Sequence, residues 1–213
     1  MADSGVPNTG ILNPSAGHFT SWRRRVGTSE KRAEGRRSVQ CQAPRGLVPK
    51  PGYTLSANGC GPAGMQVKEK FGLYKCCNRH DVCYGVCGTT HGFCEQQFTG
   101  CMAHVCNDFK GKKRQECLDQ AQSFSGMTMM MGQGIHEQSQ REACDCVDGE
   151  EQQSRWRNTI MDLFKSAKPE DATEETVQKM VNEHKRQEGK MYFNLMTTYG
   201  KDLIDFQGID SKL

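Results

Sequence analysis

The spacing of apolar and polar positions changes several times along the chain. Residues 1–40 have little apolar periodicity and are rich in Gly, Ser and Arg, so they read as a disordered or processed segment. From Cys41 to Gly64 the chain holds most of its Pro and much Gly, ending in SANGCGPAG, which is loop chemistry. From about Leu73, Cys76, His80, Cys83, Tyr84 and Cys87 recur at the spacing of a helix. The stretch GVCGTTHG breaks that run. A second run from about Phe93 to Cys106 puts Cys94, Phe98, Cys101 and Val105 on one helical face. A third helix is expected over Arg114 to Met131, with the run Met129 to Met131 filling a core.

Beyond Cys146 the pattern is amphipathic and free of Cys. SRWRNTIMDLF and EETVQKMVNEHKRQ read as two helices joined by KPEDAT, with Thr173 capping the second and Glu175 in its first turn. Val177, Met180, Val181 and His184 form one stripe, which Tyr192, Leu195, Met196 and Tyr199 continue. The expected fold is mainly α. A disulfide-rich module over residues 41–147, built on two antiparallel bridged helices, is followed by a helical extension over 148–213.

All 12 Cys of the 213 residues lie between Cys41 and Cys146. That density reads as a disulfide framework made in an oxidising compartment, so the chain is expected to be secreted or lumenal. Structural zinc is the competing use, and Cys83-x3-Cys87 and Cys101-x4-Cys106 could be forced into such a site. The adjacent Cys76 and Cys77, and the tight Cys144-x-Cys146, suit it poorly. A net charge of +3 does not call for nucleic acid but is compatible with an anionic membrane surface. No stretch has the ~18 or more apolar residues of a membrane-crossing helix. MADSGVPNTGILNPSAGHF lacks the apolar core of a signal peptide. Dibasic sites after Arg32 and Arg37 offer a pro-segment instead, and Arg23 to Arg25 a transit peptide that Glu30 and Glu34 weaken.

Cys76 and Cys83 are seven residues apart, as are Cys94 and Cys101. Seven residues is close to two turns, so each pair shares a helical face. Two antiparallel helices joined by the Gly-rich loop close Cys83 on Cys94 and Cys76 on Cys101 in a single register. The opposite pairings would need parallel helices, which the short loop forbids. Counting alone does not fix connectivity, but this register is a constraint, and such bridges would replace core that a small module lacks.

In that register His80 faces inward, and Glu95 on the second helix can reach back to its ring. Tyr84, one turn on from His80, lies on the same side. Asp81 points about 100° away. A bridge from Cys60 to Cys77 would bring NGCGPAG to that flank. The constellation is an imidazole oriented by one carboxylate, its other nitrogen free to take a proton from water. A second carboxylate lies beside loop carbonyls suited to a hard cation such as Ca2+, which could stabilise an oxyanion.

These residues carry a family resemblance. CCNRHDVCY, Cys76 to Tyr84, resembles the active-site helix of secreted phospholipases A2, with every position of the pattern Cys-Cys-x-x-His-Asp-x-Cys-Tyr matched. NGCGPAG is similar to the family's calcium loop, and CEQQFTGC to its second active-site helix. NGCG and SQREACDC look most like the group XII branch. The resemblance covers about Tyr53 to Cys146 and says nothing of the two ends. It implies calcium-dependent hydrolysis of the sn-2 ester of glycerophospholipids at a phospholipid membrane surface. His80 would activate water, and Tyr84 would hydrogen-bond the second carboxylate, Glu95. Asp81 would bind Ca2+ with the carbonyls of Gly59, Gly61 and Ala63, for which Gly64 or a water could substitute. The implied bridges are Cys60–Cys77, Cys76–Cys101 and Cys83–Cys94. The family usually has Asp where this chain has Glu95, which adds one methylene and leaves a second reading, a weak or inactive lipid- or protein-binding module on the same scaffold. Lys68, Lys70, Phe71, Leu73 and Tyr74 read either as an interfacial rim or as packing under the helix. His91, His104 and His136 read as exposed or structural, and Asp145 as turn chemistry.

Overall fold

A computed structural model describes residues 41, 45–62 and 65–207. The segment 1–40 and the loop positions Ala63 and Gly64 lie outside the described residues.

Cys and apolar spacing does set the first helix pair. Helix α1 spans Tyr74–Gly85 and α2 spans His91–Cys106, with the Thr90 side chain capping α2 by accepting from the Phe93 N–H. They run antiparallel, joined by Cys76–Cys101 and Cys83–Cys94. Cys60–Cys77 ties the preceding loop to α1. Cys41–Cys146, Cys87–Cys144 and Cys106–Cys117 complete six bridges, and no described cysteine is free. The zinc alternative, which needs thiolates, is overturned.

Helix α3, Gly111–Ala143, is much longer than its apolar pattern suggests. Its buried line is small or polar: Cys117, Ala121, Gly132, His136, Gln140 and Ala143. Its exposed face carries Met129, Met130 and Met131 at 55%, 80% and 63% exposure, so the methionine run does not fill a core. A Cβ at Gly132 would come within 2.2 Å of the Tyr84 hydroxyl, so glycine there lets α3 close on α1. Gln140 holds the far end, donating to the Tyr84 and Val86 carbonyls and accepting from the Gly88 N–H. Those are the carbonyls that the end of α1 leaves without helical partners.

Short strands stitch the ends together. Strand β1, Gly46–Pro49, pairs antiparallel with β3, Cys144–Val147. Asp145 therefore lies in a strand rather than a turn, 3.6 Å from Arg155. Strand β2, Ser56–Ala57, pairs in parallel with β4, Asp205–Phe206, near the end of the described chain.

Three helices fill the C-terminal part: α4 Gly149–Ala167, α5 Glu174–Glu183 and α6 Glu188–Tyr199. The apolar stripe expected to run through His184 is interrupted. His184 ends α5, and Arg186 adopts a left-handed φ of 70° before α6 begins. Trp156, Ile160, Leu163, Phe164, Val177, Val181, Phe193 and Met196 are buried in one cluster with Val82, Tyr84 and Val86 of α1. The Trp156 indole donates to the Leu47 carbonyl at 3.0 Å and anchors α4 to β1. This part of the chain therefore shares a core with the helix that carries His80. Leu73 is fully buried, and Phe71 packs edge-on against Phe109, so both serve packing.

Candidate active site

His80 lies on the inner face of α1, 8% exposed, its ring between Tyr84 and Phe98 with centroids 4.2 and 4.4 Å away. Its Nε2 is 2.7 Å from Glu95 Oε1. The same oxygen accepts from the Tyr84 hydroxyl at 2.6 Å, and Oε2 accepts from the Thr128 hydroxyl at 2.5 Å. Glu95 is fully buried. Burial alone would push its carboxyl up, but the hydrogen bonds from His80, Thr128 and Tyr84 outweigh it and hold the group at about 2. An ionised Glu95 can only accept, so Nε2 carries the imidazole proton and Nδ1 keeps the lone pair. The Tyr84 hydroxyl is pushed far up by burial and by Glu95, so it remains a donor.

Asp81 faces the other flank. Its Oδ2 accepts from the Asn58 N–H at 2.9 Å. Burial pushes its carboxyl up to about 7, against the backbone donors of Asn58 and Gly59. The Cys60–Cys77 bridge and the β2–β4 pair hold this loop against α1. Gly59 and Gly61 have φ of 85° and 115°, a region glycine reaches without strain, and a Cβ at Gly61 would come within 2.2 Å of the Met65 carbonyl. A half-buried carboxylate that burial holds back from ionising, beside a tightly turned glycine loop, suits a hard cation with oxygen ligands. Among the described residues no group of three or more His, Cys, Asp or Glu could hold a metal, so any such site would draw on backbone oxygens.

His80 and Asp81 line a cavity of about 430 Å3 in a trough between α1 and α3. Of the residues singled out from sequence, His80, Glu95, Tyr84, Asp81, Gly59 and Gly61 come together here, while Ala63 lies outside the described residues.

Three further groups were not legible in the spacing. Thr128 is one. His91 Nε2 lies 3.3 Å from Glu95 Oε1. His136, 6% exposed, stands edge-on to Tyr84 at 5.1 Å. Burial, then His91, push the His136 imidazole down to about 4. His91 and His136 therefore back the candidate site rather than standing apart from it. The faint signal for His91 was its place one turn before Glu95 on α2. Nothing in the sequence marked Thr128 or His136, because their partners lie on other helices.

Comparison with known proteins gives a consistent picture. The profile of the family described as Group XII secretory phospholipase A2 precursor matches residues 29–154. Group XIIA secretory phospholipase A2 of Mus musculus is 33% identical over 108 residues, covering 46% of this chain and 56% of that protein. The Homo sapiens protein of the same name is 33% identical over 107 residues, covering 46% and 57%. Group XIIB secretory phospholipase A2-like protein of Mus musculus is 29% identical over 128 residues, covering 54% and 66%. The chain thus spans little more than half the length of the two group XIIA proteins. No solved structure matches the chain.

Proposed function

Because this chain belongs to the group XII secretory phospholipase A2 family, we propose that it hydrolyses the sn-2 ester of glycerophospholipids at a membrane surface, with calcium as cofactor. The observation that carries this is that His80 and Tyr84, hydrogen-bonded to the buried Glu95 behind them, line one cavity with Asp81.

His80 Nδ1 takes a proton from water as the oxygen attacks the ester carbonyl. Glu95, kept ionised, stabilises the imidazolium that forms, and Tyr84 and Thr128 hold the carboxylate in place. Tyr84 and Phe98 against the ring fix its plane. On collapse of the tetrahedral species the ester C–O bond breaks, and His80 returns the proton to the departing lysophospholipid oxygen. The products are a fatty acid and a lysophospholipid. Asp81 and the carbonyls of Gly59 and Gly61 would hold the calcium ion, which when bound supplies Lewis-acid stabilisation for charge on the carbonyl oxygen. Six disulfides support a secreted or lumenal location.

The second reading, a weak or inactive lipid- or protein-binding module, draws on Glu95 in place of the family's usual Asp. Fatty acid release from mixed phospholipid vesicles, measured with calcium and with chelator, separates the two. The hydrolase releases fatty acid only with calcium and loses release in His80→Gln by about a thousandfold or more. Absence of calcium-dependent release at every pH between about 6 and 9, the range around the titration of an ordinary histidine, would leave the binding module.

A further inference from the structure

The cavity is chemically graded along its length. Helices α1 and α3 run side by side in the same direction, as the contacts of Gly132 with Tyr84 and of Gln140 with Val86 and Gly88 just beyond α1 require. At the end near the start of α1 the lining is Phe98, Phe124 and Met127. His80 and Asp81 lie midway. At the other end it is Tyr53, Ser56, Ser139 and Glu142, with Ile135 as the apolar side chain next to them. The lining contains no Lys or Arg. Its carboxylates are Asp81 and Glu142.

Tyr53 and Glu142 both line that end. The Tyr53 ring rests against Gly85, where a Cβ would come within 3.3 Å of its hydroxyl. Burial, then the Glu142 charge, raise the Tyr53 hydroxyl's pKa. Glu142 is exposed and accepts from Gln138 at 2.9 Å, and no ion pair engages it among the described residues. The nearby Lys50 ammonium is turned to the Arg141 carbonyl at 2.7 Å. An aromatic face with an unpaired carboxylate beside it attracts a cation, through the ring quadrupole and the charge together.

We infer that Tyr53 and Glu142 form a headgroup subsite that selects phospholipids ending in an ammonium group, phosphocholine or phosphoethanolamine, over anionic headgroups such as phosphoglycerol. The apolar end then takes the acyl chain, which places the ester between the two ends, level with His80. The inference rests on the phospholipid reading above and adds the substrate class.

The test separates the two. Binding of monomeric dihexanoyl-phosphocholine and dihexanoyl-phosphoglycerol is measured in chelator by NMR titration of the full chain. The wild type is expected to favour phosphocholine by about fivefold, the scale of one exposed charge plus one cation–aromatic contact. Glu142→Lys removes or reverses that preference, Glu142→Gln reduces it, and Glu137→Gln, on α3 but outside the lining, leaves it unchanged. Glu142 is exposed, so the folded state is retained, and circular dichroism checks this. Equal binding of the two headgroups by the wild type, or an unchanged ratio in Glu142→Lys, overturns the subsite. A preference that follows Glu142 without any calcium-dependent fatty acid release sustains the subsite and removes the hydrolase.

Discussion

Glu95 and Asp81 flank the same imidazole, yet their acidities move in opposite directions. Donors from two other helices surround the oxygens of the buried Glu95 and hold it at about 2. Asp81 has only backbone donors from one loop, and burial pushes it up to about 7. The difference teaches that the desolvation of a buried carboxylate is overcome only where enough donors aim at its charged form. The Glu95 flank is complete within the chain. The Asp81 flank has backbone donors alone, with no cationic side chain paired to it among the described residues.

Replacing each carboxylate by its amide breaks the comparison most strongly. Asp81→Asn is expected to lower calcium-dependent turnover by about a thousandfold. It should also raise metal-free stability at pH 8 by about 1 kcal/mol, because it removes a charge that burial disfavours. The sign follows from the raised acidity. A carboxyl at about 7 in the fold and 3.8 unfolded destabilises the fold progressively as pH rises between those values. Glu95→Gln is expected to lower turnover by about a hundredfold and stability by about 3 kcal/mol, since its amide hydrogens would face the donors His80, Tyr84 and Thr128. Denaturant melts and fatty acid release measure both. Stability changes of the same sign in the two variants would sink the contrast.

Glu95→Asp sharpens it further. Thr128 and His80 hold the two oxygens of Glu95 from opposite sides. A side chain one methylene shorter cannot keep both partners without moving α2, which Cys76–Cys101 and Cys83–Cys94 pin to α1. Turnover should fall by about ten- to a hundredfold, the cost of displacing a catalytic group by roughly 1 Å. Equal or higher turnover would mean the site is not shaped around Glu.

The contrast between the flanks also marks what the sequence made legible. The α1–α2 pair was readable because two Cys pairs at the same spacing admit one antiparallel register, and that register carries His80 toward Glu95. Helix α3 was readable only in part. Its buried line of Gly132, His136 and Gln140 is small or polar while its methionines face outward, so hydrophobic periodicity pointed the wrong way. What holds its second half is tertiary: Gln140 on the end of α1 and Gly132 under Tyr84. The strands escaped notice because two- and four-residue segments carry no usable alternation, and β2 pairs with a partner near the far end of the described chain. Thr128 and His136 were missed because their partners lie on other helices.

The smallest expected effect concerns the rim of the Glu95 flank. His136 is buried against Tyr84, with His91, Glu137, His80 and the backbone of Thr89 as its charged and polar neighbours. Burial, then His91, lower it from 6.5 to about 4. The unfolded chain therefore binds a proton that the fold rejects between those values. Stability from this group is complete above about pH 6.5 and is lost as pH falls toward 4, by about 3 kcal/mol in all. The raised Asp81 carboxyl acts with the opposite sign over much of this window, gaining stability as pH falls from 7 toward 3.8. Only a difference between variants isolates His136. His136→Leu removes the proton site and keeps an apolar group against Tyr84, and the Asp81 contribution cancels when both proteins are melted in chelator. The stability of wild type relative to His136→Leu should decline as pH falls from 6.5 to 4 and stay level from 6.5 to 8. Parallel curves across the whole range would mean His136 does not stay neutral in the fold. The neutral imidazole packed on Tyr84 would then no longer explain why the back of this flank holds its shape while Glu95 stays charged.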